Sequence, residues 1–178
     1  MMKKHFVFSY TNILIREIEK RKYFSLLRKV FNTIYKLFVN FTKKKIGVIK
    51  NLDNQISSQK QNLSLGKLFE TFNSDKGLIL KTYDNKEIKS HNYAIFYEKY
   101  FKDLRNKKLR ILEIGSHEGK GLAAFYYFFQ NAFLIGANIN PFQMKFYSKR
   151  IDEIYIDVSS KKILENFRNY FKEGFDII

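Results

Sequence analysis

The spacing of apolar residues changes character along this chain and predicts its elements in turn. Residues 11–46 contain neither proline nor glycine, and Leu27, Phe31, Ile34, Phe38 and Phe41 recur every three or four positions. That period puts them on one side of a helix, either a single element over 11–46 or two helices with a break near Ser25. Thr11 is the candidate cap, and Lys43, Lys44 and Lys45 ahead of Gly47 suit the negative end of the helix dipole. Residues 51–64, NLDNQISSQKQNLS, are polar and without period, as in a linker. Apolar rhythm returns at 65–72, and Tyr93, Phe96, Tyr97, Tyr100, Phe101 and Leu104 form a second helical stripe.

From residue 109 short apolar runs alternate with helical stretches. Residues 109–114 read as a buried strand, 121–130 as a buried helix and 132–139 as a second strand. Pro141 suits the first position of a helix reaching about Lys149, where its missing N–H does no harm. Residues 153–158 form a third expected strand. Ser159 or Ser160 can cap a helix running to Phe171, and Gly174 ends it before 175–178 begins a fourth strand. This alternation indicates parallel βαβ units with right-handed crossovers, an α/β fold built on a Rossmann-like parallel sheet. The expected organisation is a basic amphipathic helical extension (1–50), a polar linker (51–64), a helical lead-in (65–108) and a partial Rossmann-like domain (109–178).

Charge adds candidate partners for the extension. The net charge is +16, and residues 1–63 carry 14 Lys and Arg against 3 Asp and Glu. The 11–46 helix, basic through Arg28, Lys29 and Lys36 on the side away from its apolar stripe, has three readings. It packs on a partner subunit or on the domain behind it, lies in a membrane surface, or binds nucleic acid. Packing comes first, because an amphipathic stripe is ordinarily a core-facing surface. Nucleic acid comes last, since no recognition module is present and lysine-rich faces are commonly just solvated. Abundant Lys, Asn, Ile, Phe and Tyr also fit an AT-rich coding sequence, which accounts for part of the basicity.

Other chemistry is excluded more simply. With no cysteine there is no disulfide, thiolate metal site or cysteine nucleophile, and His5, His91 and His117 are too scattered for a histidine-based metal cluster. The N-terminal apolar run is too short for a signal peptide, and nothing approaches the ~18 apolar residues of a membrane span. The expected location is cytoplasmic, peripheral to the inner membrane face if the helix binds lipid.

The strand at 109–114 leads into Gly115, Gly119 and Gly121 within LRILEIGSHEGKG. Three residues separate the first two glycines, which departs from the G-x-G-x-x-G dinucleotide fingerprint, and Gly121 stands where a phosphate loop needs Ser or Thr. The turn also suits any tight strand-to-helix connection. As E-x-G-x-x-x-G-x-G it resembles the first motif of the class I S-adenosylmethionine-dependent methyltransferases. The resemblance implies that Glu113, Gly115, Ser116, Gly119 and Gly121 form a loop under the methionine portion of S-adenosylmethionine. It makes the sheet the N-terminal, cofactor-binding half of the class I methyltransferase fold.

Upstream, a Ser-Asp-Lys-Gly turn (Ser74, Asp75, Lys76, Gly77) precedes His91 and Tyr93, then Tyr97, Glu98, Tyr100, Phe101, Leu104 and Arg105. This order is similar to that of the macrolide-sugar O-methyltransferases and related bacterial glycan or natural-product methyltransferases, with an insertion at 78–90. That resemblance makes Asp75, Lys76, His91 and Tyr93 further candidates for cofactor or substrate contacts. It also implies that Asn138 stands where a carboxylate usually receives the ribose hydroxyls, and that Asp157 is placed to contact the adenine. An amide at 138 accepts without the charge-assisted part of the bond.

The implied reaction is in-line methyl transfer from a sulfonium to a sugar hydroxyl, with a base to deprotonate it. In that family the base and the ligands of a magnesium-like divalent ion lie just after the fourth strand and later, beyond Ile178. The expectation is therefore a fragment cut inside its fourth strand, inactive alone, or a chain completed by another. The acceptor would be a sugar or glycan, and a homo-oligomer is compatible. Two other functions stay open: a non-catalytic membrane- or partner-binding adapter with an α/β scaffold, and an RNA-binding or RNA-modifying protein.

Overall fold

A computed structural model of the chain describes residues 6–19, 23–45, 48–55, 58–140 and 142–178. The N-terminal region is two helices, α1 (Phe6–Glu19) and α2 (Tyr23–Lys45). Thr11 lies inside α1 rather than capping it, because Phe8, almost a turn earlier, is already buried against Tyr170 and Phe171. Ser25 falls inside α2, so no break occurs there, and residues 20–22 lie outside the described residues. After α2 come β1 (Lys50–Asn51), a 3₁₀ turn (Asp53–Gln55), α3 (Ser58–Gln61) and α4 (Leu65–Thr71). Ser64 Oγ caps α4 by accepting from the Lys67 N–H at 3.2 Å. The 78–90 insertion folds as an antiparallel hairpin, β2 (Ile79–Lys81) and β3 (Glu87–Lys89), and α5 (Ala94–Phe101) follows.

The remaining elements are β4 (Arg110–Ile114), α6 (Lys120–Phe128), β5 (Phe133–Asn138), β6 (Phe146–Tyr147), β7 (Ile151–Tyr155) and α7 (Lys161–Tyr170). Strands β4, β5 and β7 are parallel neighbours in that order. Residues 175–178 begin a further parallel strand on the other side of β4, where Ile177 bridges Ile111 and its carbonyl accepts from Leu112 N–H at 2.9 Å. The strands therefore run fourth, first, second, third across the sheet, the reversal expected of a doubly wound α/β fold.

Both faces of the sheet are covered, which is why its strands are nearly continuous apolar runs. On one face Ile111, Leu134 and Ile151 pack under α6, whose residues from Gly121 to Phe128 are all buried because α4 and α5 lie outside it. On the other, Leu112, Ile135, Ala137 and Ile154 pack with Phe8 of α1 and with Ile163 and Phe171 of the α7 region. Ser160 is the cap of α7; its Oγ accepts from Ile163 N–H at 3.4 Å and donates to Glu19 Oε2 at 2.8 Å.

Two segments depart from expectation through long-range contacts. The polar 51–64 stretch docks on the domain: Leu52 is fully buried and β1 pairs in parallel with β6. Asp53 accepts from the Tyr126 hydroxyl at 2.9 Å and from Lys149 N–H at 2.8 Å. The helix expected from Pro141 to Lys149 is absent among the described residues, and Pro141 itself lies outside them. Met144 and Phe146 are buried at two-residue spacing, an extended pattern, and the pairing with β1 uses backbone groups that a helix would have consumed. Glu153 Oε1 receives the N–H groups of Phe142 and Gln143 at 2.9 and 3.3 Å.

The apolar stripe of α2 also departs from expectation. Phe31, Ile34, Phe38 and Phe41 are 57–71% exposed, and the Leu27 side chain lies outside the described residues, so the described part of the stripe is not a core-facing surface in this chain. The body of the protein lies on another side of the helix, where Tyr35, Lys36, Val39, Asn40 and Lys43 line a cleft with Asn140, Phe142 and Gln143.

Burial first, and the hydrogen bond to Asp53 next, push the Tyr126 phenol up to about 12. A tyrosine absorbance titration is expected to show a class ionising near pH 12, and Asp53→Asn to lower it. Because the folded-state value lies above the ordinary 10, the stabilising contribution is complete below pH 10 and lost as pH rises through about 12. An unshifted titration in the Asp53→Asn variant would remove Asp53 from the cause.

Candidate functional site

The turn after β4 is built by three left-handed residues, Gly115 (φ 79°), His117 (φ 45°) and Gly119 (φ 75°). Gly115 and Ser116 N–H groups both donate to Ala137 O, at 2.8 and 3.3 Å, tying the turn to β5; Gly119 N–H closes it on Ser116 O at 2.7 Å. Gly119 then enters α6, and a Cβ there would meet Met144 Cε at 3.0 Å on top of the backbone strain. Gly121 is required differently. A Cβ there would lie 2.4 Å from Glu113 Oε1.

Glu113 points from β4 under the first turn of α6 and is buried. Its Oε1 pairs with Lys76 Nζ at 2.7 Å, and Lys76 also lies 3.8 Å from Asp75 Oδ1. Burial pushes the Glu113 carboxyl up, while the Lys76 charge and hydrogen bond and the Leu122 amide pull it back part of the way. For Lys76 burial acts downward, but the attraction of Glu113 and Asp75 leaves its pKa raised. Both directions favour the proton staying within the pair. Glu113 Oε2 and Ser116 Oγ are buried without a hydrogen-bond partner, unusual enough in a folded protein to mark the place.

The Ser-Asp-Lys-Gly and His-x-Tyr segments are held together despite the insertion. The β2–β3 hairpin returns the chain so that His91, Asn92 and Ala94 N–H groups donate to Asp75, Gly77 and Lys76 carbonyls at 3.1, 2.8 and 3.2 Å. The His91 and Tyr93 rings stack 5.1 Å apart. Asp75, Lys76, Glu113, Gly115, Ser116 and Gly121 share a cleft of about 380 Å³, whose wall Glu118 and Lys120 extend; His91 and Tyr93 are outside its lining. Glu118 pairs with Lys120 at 3.1 Å and with Lys145, and these bonds draw its carboxyl below the ordinary value despite burial, the largest single influence.

Asn138 and Asp157 stand at the ends of neighbouring strands, away from that cleft. Both are buried. The Asn138 contacts are long: Nδ2 donates to Gln143 Oε1 and Oδ1 accepts from Asn140 N–H, each at 3.5 Å. Asp157 is held tightly. Its Oδ1 accepts from the Ser159 hydroxyl and N–H at 2.6 and 3.1 Å, and Oδ2 is ion-paired with Arg16 Nε of α1 at 3.0 Å. Around these ends Ile114, Ile139 and Val158 are exposed, an apolar rim at the C-terminal edge of the sheet. Among the described residues no group of three or more His, Asp or Glu is placed to hold a metal ion, and no helix is long and apolar enough to cross a membrane.

The chain is similar in structure to MycE methyltransferase. Three solved structures of that enzyme, from the mycinamycin biosynthetic pathway, match with 21% identity and a TM-score of 0.49 over 61% of this chain. One is a complex with Mg, SAH and mycinamycin VI, the other two with Mg and SAH. The chain spans 29% of the length of the first and 27% of the others. No family model matches it, and no curated protein does.

Sequence reasoning marked Lys76 and Glu113 separately and missed that they pair; two oppositely charged residues beside glycine turns were the available signal. It missed Arg16 at Asp157 entirely, since nothing local links positions 141 residues apart. The exposed Ile139 and Val158 were concealed because apolar residues at strand ends read as more strand.

Replacing Lys76 with Met leaves Glu113 buried and unpaired. The Lys76→Met variant is expected to lose about 3 kcal/mol or more at neutral pH. The Glu113 pKa, already raised, rises further, so the variant is most stable at acid pH and weakens as pH climbs through that value. Urea midpoints at pH 5 and pH 8 read this out, and a pH profile parallel to that of the parent would refute it.

Proposed function

We propose that this chain is the cofactor-binding part of an S-adenosylmethionine-dependent methyltransferase acting on a hydroxyl of a sugar or glycosylated natural product. The observation that carries the reading is the glycine turn locked on Glu113, opening into a cleft at the C-terminal edge of a sheet ordered fourth, first, second, third. Ligands of open α/β sheets bind outside the strand carboxyl ends, at the point where strand order reverses, and β4 stands at that point.

The residues fit such a cofactor in three places. The Gly115–Gly121 turn lets a ligand approach the backbone closely, and Lys76 offers a charge-assisted donor to a carboxylate. The orphaned Ser116 Oγ and Glu113 Oε2 are polar groups buried beside the cleft. Ile139 and Val158 offer apolar walls for a flat ring, with Asn138 beside them for ribose hydroxyls. Asp157 fits less well, being engaged with Arg16 and Ser159. The cofactor, when bound, supplies an electrophilic methyl group on sulfur. The protein's own task is to hold it, orient it and exclude water.

The sugar acceptor rests on the similarity of the Ser74–Gly77 and His91–Arg105 segments to macrolide-sugar O-methyltransferases. Asp75 is exposed at the cleft mouth, with His91 and Tyr93 stacked beside it, where polar and aromatic groups could meet a sugar. This reading also includes a divalent ion and a base, to which no described residue is assigned. The adapter reading keeps one specific observation in its favour, the Arg16 ion pair on Asp157.

Titration calorimetry with S-adenosylhomocysteine tests the assignment. Binding is expected, weakened by the amide at 138, and Asn138→Asp is expected to tighten it about three- to tenfold through a charge-assisted bond. Absence of binding heat at about 1 mM ligand, where a matching Kd corresponds to only about −4 kcal/mol, would leave the adapter reading standing.

A further inference from the structure

The outward stripe of α2 is the largest feature that the cofactor reading does not use. We propose that α2 lies in the plane of an anionic lipid surface, with Phe31, Ile34, Phe38 and Phe41 inserted at the headgroup–acyl boundary. At 100° per residue these four positions cover an arc of roughly 80°, a continuous band along the helix. They are more than half exposed, and Tyr35, Lys36, Val39, Asn40 and Lys43 border the cleft toward Asn140, Phe142 and Gln143 of the body. The helix thus turns its apolar side away from the domain that anchors it. A water-soluble surface seldom leaves so many large apolar side chains together without a partner.

Charge selects the partner. Residues 20–52 carry ten Lys and Arg and no Asp or Glu. A second copy laid on this face would set ten cations against ten, the juxtaposition that suppresses pairing. Nucleic acid would satisfy the lysines and stack bases on exposed rings, but it leaves a one-sided apolar band that includes Ile34 largely without a partner. A membrane rich in acidic lipids uses both features: acyl chains take the stripe, and the basic segment sits within the reach of the surface potential, about 10 Å. No described helix is apolar enough to cross, so α2 lies on the surface rather than through it. The sheet's site would then be held beside a membrane, independent of what it binds.

The chain contains no tryptophan, so Phe38→Trp places one reporter on the stripe. With vesicles of phosphatidylcholine and phosphatidylglycerol in about a 3:1 ratio, its emission is expected to shift to the blue and be quenched by brominated acyl chains. Partition is expected to fall at least about tenfold with phosphatidylcholine alone or in high salt. The Phe31→Ser/Phe38→Ser/Phe41→Ser variant is expected to lose at least about tenfold in vesicle co-sedimentation. Because those side chains are already in water, its thermal midpoint should stay at that of the parent. A reporter that remains water-exposed with anionic vesicles overturns the proposal, even if the triple variant fails to fold. So does co-sedimentation of a folded triple variant at the parental level, RNA binding tighter than vesicle binding and unaffected by the triple substitution, or a parental dimer in vesicle-free solution that the substitutions dissociate.

Discussion

Glu113 forces a strand, a helix and the lead-in segment into one geometry. Its carboxylate sits under the first turn of α6, where an uncompensated charge would be costly. Two conditions keep it there. Gly121 must carry no Cβ, and Lys76 must be delivered from outside the sheet to 2.7 Å. Delivery depends on the turn at Ser74–Gly77, which is fixed by the end of α4 through Ser74 N–H to Phe69 O at 2.8 Å and by the backbone bonds from His91, Asn92 and Ala94. Glu98 Oε1 in turn accepts from Gly66 N–H at 3.1 Å, joining α5 to the start of α4. The lead-in is thus part of the site, and the glycine turn does not stand alone.

A similar dependence operates at the other end of the sheet. Tyr155 N–H points away from β5, since the next amide, Ile156, is the one that donates to Asn138 O. Ser9 Oγ of α1 accepts the Tyr155 N–H at 2.8 Å, so a helix side chain satisfies a donor on the edge strand. The same helix carries Arg16 to the Tyr155 hydroxyl at 3.1 Å and to Asp157. Covering the edge and engaging Asp157 are one structural event, which ties the basic N-terminal region to the strand-end residues in a way its sequence distance conceals.

The sheet and the glycine turn were legible in the sequence because their causes are local. Strand and helix periods in 109–178 follow from burial on alternating or rotating faces, and the turn glycines follow from left-handed backbone and close approach. The 142–149 segment was misread because its conformation is decided by pairing with Lys50 and Asn51, about a hundred residues earlier in the chain. Pro141 and the apolar residues after it suited a helix equally well until that partner was known. The α2 stripe shows a third kind of limit. Period tells which side chains share a face, but whether anything covers that face depends on the rest of the fold. Here Lys36 and Asn40 took the inward position beside Phe142 and Gln143.

Asn138 and Asp157 end neighbouring strands yet differ in how far they are committed. Asp157 is fixed by contacts of 2.6, 3.0 and 3.1 Å, so any ligand that used this carboxylate would have to share it with Ser159 and Arg16. Among the described residues the Asn138 side chain has contacts at 3.5 Å, near the limit of a hydrogen bond, and its amide offers both a donor and an acceptor. On the cofactor reading, recognition at this edge would therefore pass to the amide and to the apolar rim of Ile139 and Val158. The strongest electrostatic contribution would remain at the other end of the ligand, beside Lys76. Such a division favours a molecule with a flat apolar ring, hydroxyls between, and an anionic end. On that reading the Glu113–Lys76 pair would have a binding consequence beyond stability, because Lys76 is a half-buried cation at the cleft whose charge is already shared with Glu113 and Asp75.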